Sequence, residues 1–199
     1  SVLLMNLQTG FAQAAKVFKA GAATSNITPK IGTSINGNMK DGIVKQIHDE
    51  THARCIVLDD GKTKLAMLTV DLCMIYREEL DAAKQRAHEL TGIPVENMMM
   101  SATHTHSGGT ACSVFQSDPD PEYLKFLRER IADAVIRANN NLAPARIGWA
   151  LGREESQVFN RRWKMKPGKP LMNPFGTEDL VKMNPGVANP DRLEPSGPT

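Results

Sequence analysis

One stretch of the chain, residues 98–110, constrains the fold more than any other part. Three methionines and small hydroxyl residues lead to His104 and His106, and Gly108 and Gly109 follow at once. The apolar run predicts a buried strand, and the Ser-Gly-Gly sequence predicts the turn that leaves the sheet. We therefore expect both histidines at the C-terminal end of a strand, the edge at which open α/β sheets bind ligands.

The rest of the chain alternates between strand-like and helix-like patterns. Apolar stripes predict helices at residues 77–90 and 122–139, and Asp59-Asp60-Gly61 predicts a hairpin turn. Apolar runs predict strands at 17–23, 53–58, 64–70, 94–102 and 145–151. This order predicts an α/β fold in which helices flank a mixed β-sheet.

The domain limits follow from composition. The chain has 199 residues, of which 41% are hydrophobic and 23% charged, enough for one domain with a substantial core. We expect a single α/β domain over residues 16–166. An irregular tail rich in proline and glycine follows over 167–199 and is too polar to pack alone. The tail could lead to a C-terminal portion outside this chain, which would then be a partner, and a homo-oligomer is a further option.

Charge and hydropathy bear on partners and location. The net charge is +2 with interspersed signs, so nothing points to a nucleic-acid partner, and no apolar run is long enough to span a bilayer. Residues 1–15 combine a short apolar stretch with Ala12-Gln13-Ala14, which fits the remnant of an export signal or a segment packed on the domain. The first interpretation implies a secreted or periplasmic protein, and the second leaves a cytoplasmic one.

The three cysteines do not predict a disulfide framework. Cys55, Cys73 and Cys112 are odd in number and widely spaced, which argues against disulfides and a structural cysteine–zinc site. Cys55 and Cys73 lie in apolar runs and are interpreted as buried thiols. Cys112 follows the histidine motif, so a nucleophile in an unrelated α/β hydrolase is an alternative, although packing is favoured.

Several other residues are candidates for chemistry. His104 and His106, two positions apart, share one face of a strand and could both approach a metal ion, although local hydrogen bonding is the alternative. Gly37, in a glycine-containing loop, allows a close backbone approach to a bound substrate. The roles of three further residues stay open. These are His48, a metal ligand or a polar turn residue; Asp71, a histidine or cation partner or a turn aspartate; and Arg161, an oxyanion-binding group or a surface cation.

These motifs together resemble the neutral (alkaline, non-lysosomal) ceramidase family over about residues 17–163. The most specific is Ser-Ala-Thr-His-Thr-His-Ser-Gly at 101–108. The weaker ones occur in the family's order: Ile27-Thr28-Pro29, His48-Asp49, the strand that includes Cys55, Thr69-Val70-Asp71-Leu72 and Asn160-Arg161.

The resemblance implies a zinc-dependent amidase that hydrolyses ceramide to a fatty acid and a sphingoid base. It implies that His104 binds zinc, that His106 is a catalytic-site histidine and that Arg161 is the active-site arginine. The chain departs from the family at Gly109, where the motif usually has proline. The family's other zinc ligands, a histidine, a glutamate and a tyrosine, lie further downstream than this chain extends. A smaller amide or ester-like substrate, and a non-catalytic binding or structural domain of the same fold, are therefore the alternatives.

Overall fold

A computed structural model describes residues 17–157, 160–168, 171–173 and 175–197. The chain forms two compact units, Ser1–Ile147 and Gly148–Thr199. The segment interpreted as an export-signal remnant, residues 1–15, lies outside the described residues. The expected domain limits at residues 16 and 166 stay a prediction.

The first unit contains the long strands and both long helices. The strands of the large sheet are β1 (Lys19–Asn26), β4 (His52–Asp59), β5 (Lys64–Val70), β6 (Met98–Ala102) and β7 (Ala143–Pro144), and β2 (Ser34–Ile35) pairs with β3 (Gly42–Ile43). The helices are α1 (Arg77–Thr91) and α2 (Pro121–Asn140), with a 3₁₀ turn at Val95–Asn97. Both helices and the hairpin between β4 and β5 are confirmed, whereas the predicted strand 94–102 is shortened by the 3₁₀ turn.

The described strands of the large sheet lie in the order β6-β5-β4-β1-β7. Neighbours are antiparallel except for β5 and β6, which run parallel with Val70 opposite Ala102. The mixed sheet is therefore confirmed. The only parallel pair among these strands is the one whose C-terminal ends carry Asp71 and the histidine motif, so the predicted edge exists.

The helix ends follow local sequence signals. Gly92 has a left-handed φ of 68° and its N–H donates to the carbonyl oxygen of His88, which ends α1. At the start of α2, the Asp120 carboxylate accepts a hydrogen bond from the Glu122 N–H at 2.9 Å, and Pro121 occupies the first turn. These two signals set the end of α1 and the start of α2.

The core lies between the helices and one face of the sheet. Alternate residues of β4, such as Ala53, Cys55 and Val57, are buried with Leu127 and Ile131 of α2. The opposite face of the sheet leaves large apolar side chains exposed, among them Ile56, Met67 and Met99. No described helix has both the length and the apolar character that crossing a membrane requires.

The predicted strand at 145–151 is wrong. The ladder between β7 and β1 starts with Lys19 opposite Pro144, and the Ala145 N–H makes one further bond to the Phe18 carbonyl oxygen. Beyond that point the alternating apolar residues, including Trp149 and Leu151, are almost fully exposed. The apolar run predicted a strand here, but β1 offers no further described partner.

The second unit consists of short strands and turns. A tail with few apolar residues predicts such irregular structure. The short elements are a 3₁₀ turn at Glu155–Gln157 and the strands β8 (Arg162–Met165), β9 (Leu171–Met172), β10 (Glu178–Asp179), β11 (Val181–Met183) and β12 (Arg192–Pro195). The described strands pair as β11-β8-β12 and β10-β9. The Arg192 guanidinium stacks on the Trp163 ring at 4.2 Å.

Candidate metal centre

The parallel strands β5 and β6 bring two stretches of chain together at one edge of the sheet. The Thr103 N–H donates to the Val70 carbonyl oxygen at 2.9 Å, which extends the ladder just past both strands. Asp71 and Cys73 therefore leave the sheet beside His104 and His106. In parallel sheets this is the edge that collects ligand-binding residues.

The two histidines meet through their Nε2 atoms. His104 Nδ1 donates to the carbonyl oxygen of Cys73 at 2.9 Å, and because a carbonyl only accepts, Nδ1 carries the proton. Nε2 of His104 then carries a lone pair, and it lies 3.5 Å from Nε2 of His106, which can donate a hydrogen bond to it. The rings meet edge to face, 5.0 Å apart between centroids.

This spacing matches a shared ion. Two nitrogen ligands at roughly 2.0–2.1 Å from a tetrahedral zinc ion lie about 3.4 Å from each other. The observed 3.5 Å is therefore the separation that two ligands of one zinc ion would have. The hydrogen bond to a backbone carbonyl is also the usual way in which a ligating histidine is fixed in one tautomer.

His104 has a strained backbone. Its φ is 63°, in the left-handed region that residues other than glycine seldom occupy. Such conformations persist where the surrounding structure imposes them and are concentrated at functional sites. The strain here accompanies the turn that directs the His104 ring back toward Cys73.

Gly37 packs directly against His106. Its φ is 105°, and a Cβ at this position would lie 2.7 Å from Cγ of His106, closer than nonbonded carbon atoms approach. The loop between β2 and β3 therefore reaches the imidazole because residue 37 has no side chain. The predicted role of Gly37 in substrate binding stays a prediction, and its observed contact is with His106.

Cys73 is the residue that the sequence did not assign to this site. Its side chain is buried, as interpreted, but its Sγ lies 3.7 Å from His104 Nδ1. Among the described residues, Cys73, His104 and His106 form the one group of three whose ligand atoms all lie within 4.8 Å of one another. The parallel pairing of β5 with β6 was the signal that could have identified it.

Asp71 is held by other groups. Its Oδ2 accepts hydrogen bonds from the His52 backbone N–H at 3.0 Å and from Arg54 Nη1 at 2.5 Å. The partners of Asp71 are therefore a backbone N–H and the cationic side chain of Arg54. His48 is exposed, and Nδ1 donates to the Asp49 carboxylate at 2.8 Å, which raises the pKa of His48 above its ordinary value.

A cleft of about 740 Å³ opens beside His106. This volume is within the range of small-molecule sites. Both charged and apolar residues line the cleft. Its lining includes His48, Asp49, Glu50, Arg54, Asp71, His106, Ile35, Ile43 and Ile47.

Cys112 and Arg161 are the two other predicted residues. Cys112 is buried, and burial raises the pKa of its thiol, which the nearby Cys73 raises further. A raised pKa disfavours the thiolate that a nucleophile needs. Arg161 is in the second unit, where Nη2 donates to the sulfur of Met183 at 3.9 Å, and its predicted role stays a prediction.

Comparison with known proteins gives the site a context. No family model matches the chain. A curated relative, neutral ceramidase A of Dictyostelium discoideum, is 26% identical over 191 residues, which cover 81% of this chain and 26% of the relative. The chain resembles the neutral ceramidases. The resemblance predicted from the sequence motifs is thereby confirmed.

Solved ceramidase structures share the fold. Neutral ceramidase from Pseudomonas aeruginosa superposes with a TM-score of 0.59 at 23% identity, covering 64% of this chain and 22% of that one. A ceramidase complexed with C2 superposes with a TM-score of 0.60 at 22% identity, covering 75% of this chain and 24% of that one. The chain spans about a quarter of the length of these ceramidases.

Proposed function

We propose that this chain is part of a zinc-dependent amide hydrolase of the ceramidase type, and that His104 and His106 hold the zinc ion. The observation that carries the proposal is the 3.5 Å separation between their Nε2 atoms, at the C-terminal edge of two parallel strands and beside a cleft. The similarity to neutral ceramidases supports the reaction class.

The nitrogen ligands that the two histidines offer are of the kind that zinc prefers. Imidazole nitrogens are favoured zinc ligands, and the hydrogen bond from His104 Nδ1 to a backbone carbonyl leaves Nε2 for the metal. Bound zinc would lower the pKa of a water molecule and polarise an amide carbonyl. The role predicted for His106, a catalytic-site histidine, is extended here to a second ligand.

The neighbouring residues would position the histidines and the substrate. Gly37 holds the His106 ring by direct contact, and the φ of 63° at His104 directs its imidazole toward Cys73. The isoleucines that line the cleft provide apolar surface for the hydrocarbon part of a lipid amide, which supports N-acylsphingosine over a small polar amide. Arg161 is proposed, from the resemblance alone, to bind the oxyanion.

The test is hydrolysis of a fluorescent N-acylsphingosine by the polypeptide that the whole gene encodes, reconstituted with zinc. We expect His104→Ala to abolish release of the fatty acid, whereas His88→Ala, on a helix away from the cleft, retains it. Undiminished hydrolysis by His104→Ala would refute the proposal.

A non-catalytic domain of the same fold is the second candidate. It is the alternative that the sequence motifs left open, because the resemblance assigns one zinc ligand, His104, to this chain. The hydrolase and the non-catalytic domain predict different results in the zinc-binding and hydrolysis experiments. Zinc bound at His104 and His106 without hydrolysis of either N-acylsphingosine or a short-chain N-acyl amine would establish the binding domain and exclude the hydrolase.

A further inference from the structure

We infer that Ser34 and Thr110 are positioning residues for the metal site, and that their hydroxyl groups hold the loop between β2 and β3 against the imidazole of His106. The inference rests on the proposed zinc ion at His104 and His106. It concerns two residues to which neither the sequence motifs nor the resemblance assigned a role. Both residues act through the contact between Gly37 and His106.

The first observation is a chain of hydrogen bonds between two loops. Ser34 Oγ donates to the Asp41 carboxylate at 2.5 Å and lies 2.8 Å from Thr110 Oγ1. A hydroxyl has one proton and an ionised carboxylate only accepts, so the Thr110 hydroxyl donates to Ser34. The Thr110 backbone N–H also donates to the Ser34 carbonyl oxygen at 2.8 Å. We call the side chains of Ser34, Asp41 and Thr110 the hydroxyl bridge.

The hydroxyl bridge joins the segments that carry Gly37 and His106. Ser34 and Asp41 lie on either side of Gly37 in the chain, and Thr110 follows His106 by four residues. Thr110 is fully buried, where a hydrogen bond is stronger than in water. The bridge therefore limits how far the glycine can move away from the imidazole.

Asn36 adds a second connection between the same segments. Its side chain is fully buried, and Nδ2 donates to the carbonyl oxygen of Cys112 at 3.4 Å. Asn36 directly precedes Gly37, so this attachment lies next to the glycine itself. Because a Cβ at Gly37 would lie 2.7 Å from Cγ of His106, the backbone there confines the imidazole on one side.

Loss of the hydroxyl bridge should affect the metal more than the fold. The strands β2 and β3 have two residues each, and a hairpin of that size is marginal by itself, so side-chain hydrogen bonds decide where its loop rests. Groups at a metal site must be held within about 0.5 Å of their productive positions. A released loop would let the His106 ring turn away from His104, while the core between the helices and the large sheet stays intact.

The experiment measures zinc affinity and hydrogen exchange in the polypeptide that the whole gene encodes. Thr110→Val removes one hydroxyl and keeps the shape of the side chain, and Ser34→Ala removes the centre of the bridge. We expect each variant to bind zinc about 10-fold more weakly, the lower end of the range for residues that orient a metal ligand. In the metal-free protein, mass spectrometry should show faster exchange of the amides of residues 36–41 in both variants.

Two control variants isolate the bridge. Thr110→Ser keeps the hydroxyl and should retain the zinc affinity of the wild type. Thr91→Val removes a different hydroxyl at the end of α1, which donates to the Ala87 carbonyl oxygen at 2.7 Å and accepts from the Ile93 N–H at 3.2 Å. It should leave both the zinc affinity and the exchange of residues 36–41 unchanged. Circular dichroism reports the fold of each variant.

The outcomes separate this inference from the proposed function. Unchanged zinc affinity in folded Thr110→Val and Ser34→Ala would overturn the positioning role and leave the histidine pair intact. Unchanged exchange of residues 36–41 in both variants, or equal weakening of zinc binding in Thr91→Val, would overturn it as well. A wild type that binds no zinc would refute the proposed function and the positioning role with it. If Thr110→Val does not fold, Ser34→Ala decides, since its side chain is only partly buried.

Discussion

Adding one methyl group at Gly37 should disable the metal site while leaving the fold in place. The new Cβ would lie 2.7 Å from Cγ and 3.0 Å from Cβ of His106, so the obstruction involves the root of the imidazole side chain. To restore an ordinary contact of 3.4 Å, the ring must move by about 0.7 Å. Metal and catalytic sites require their groups within about 0.5 Å of the productive position.

We therefore expect Gly37→Ala to weaken zinc binding by about 10–100-fold, since a misplacement near 1 Å can cost a factor of that order. Gly37 also has a φ of 105°, so alanine adds backbone strain of about 1 kcal/mol. Competitive titration with a fluorescent zinc chelator measures the affinity, and urea unfolding followed by circular dichroism measures the stability.

Gly32 provides the matched control. It has a similar φ of 92°, but a Cβ there meets nothing within 4 Å. Gly32→Ala should therefore lose about the same 1 kcal/mol of stability and keep its zinc affinity. Equal zinc affinities for the two variants would refute the account, because the contact with His106 would then have no bearing on the metal site.

Three further predictions follow from single contacts. His104→Gly should be more stable than His104→Ala by about 1 kcal/mol in urea unfolding, because glycine accepts the left-handed φ of 63°. Gly109→Ala should destabilise the fold by about 1–3 kcal/mol through overpacking, since its Cβ would lie 2.6 Å from the buried Tyr123 ring. Asp49→Asn should lower the pKa of His48, measured by NMR titration of the imidazole, because the Asp49 carboxylate raises it.

Controls accompany these three. For His104, equal stability of the glycine and alanine variants would contradict the strained backbone. For Gly109, Gly148→Ala is the comparison, as a Cβ there meets nothing within 4 Å. For His48, Glu50→Gln should leave the titration unchanged. A raised pKa favours the protonated form, so the His48–Asp49 pair contributes to stability below the ordinary value of 6.5 and loses that contribution as the pH rises through the folded pKa.

The helices and the site edge were predictable because their signals are local. Gly92 ends α1, and Asp120 with Pro121 begins α2, and both signals act within a few residues of chain. The apolar run before His104 likewise predicted a strand and the position of the histidine at its end. Such patterns record backbone preferences that tertiary packing did not override here.

The structural features that the sequence did not predict depend on pairing between strands that are distant in the chain. Cys73 joins His104 only because β5 and β6 run parallel in register, with Val70 opposite Ala102. The apolar run around Trp149 predicted a strand, but pairing with β1 ends at Pro144. An apolar run indicates which residues could be buried in a sheet and leaves open whether a partner strand reaches them.

The central claim is that His104 and His106 hold one zinc ion. The most direct measurement is the zinc content of the purified polypeptide that the whole gene encodes, after reconstitution and removal of free metal, determined by mass spectrometry of the metal alongside circular dichroism. We expect about one zinc per chain in the wild type and in His88→Ala, with loss of zinc from folded His104→Ala and His106→Ala. A folded wild-type chain that retains no zinc, or variants that retain it fully, would contradict the claim.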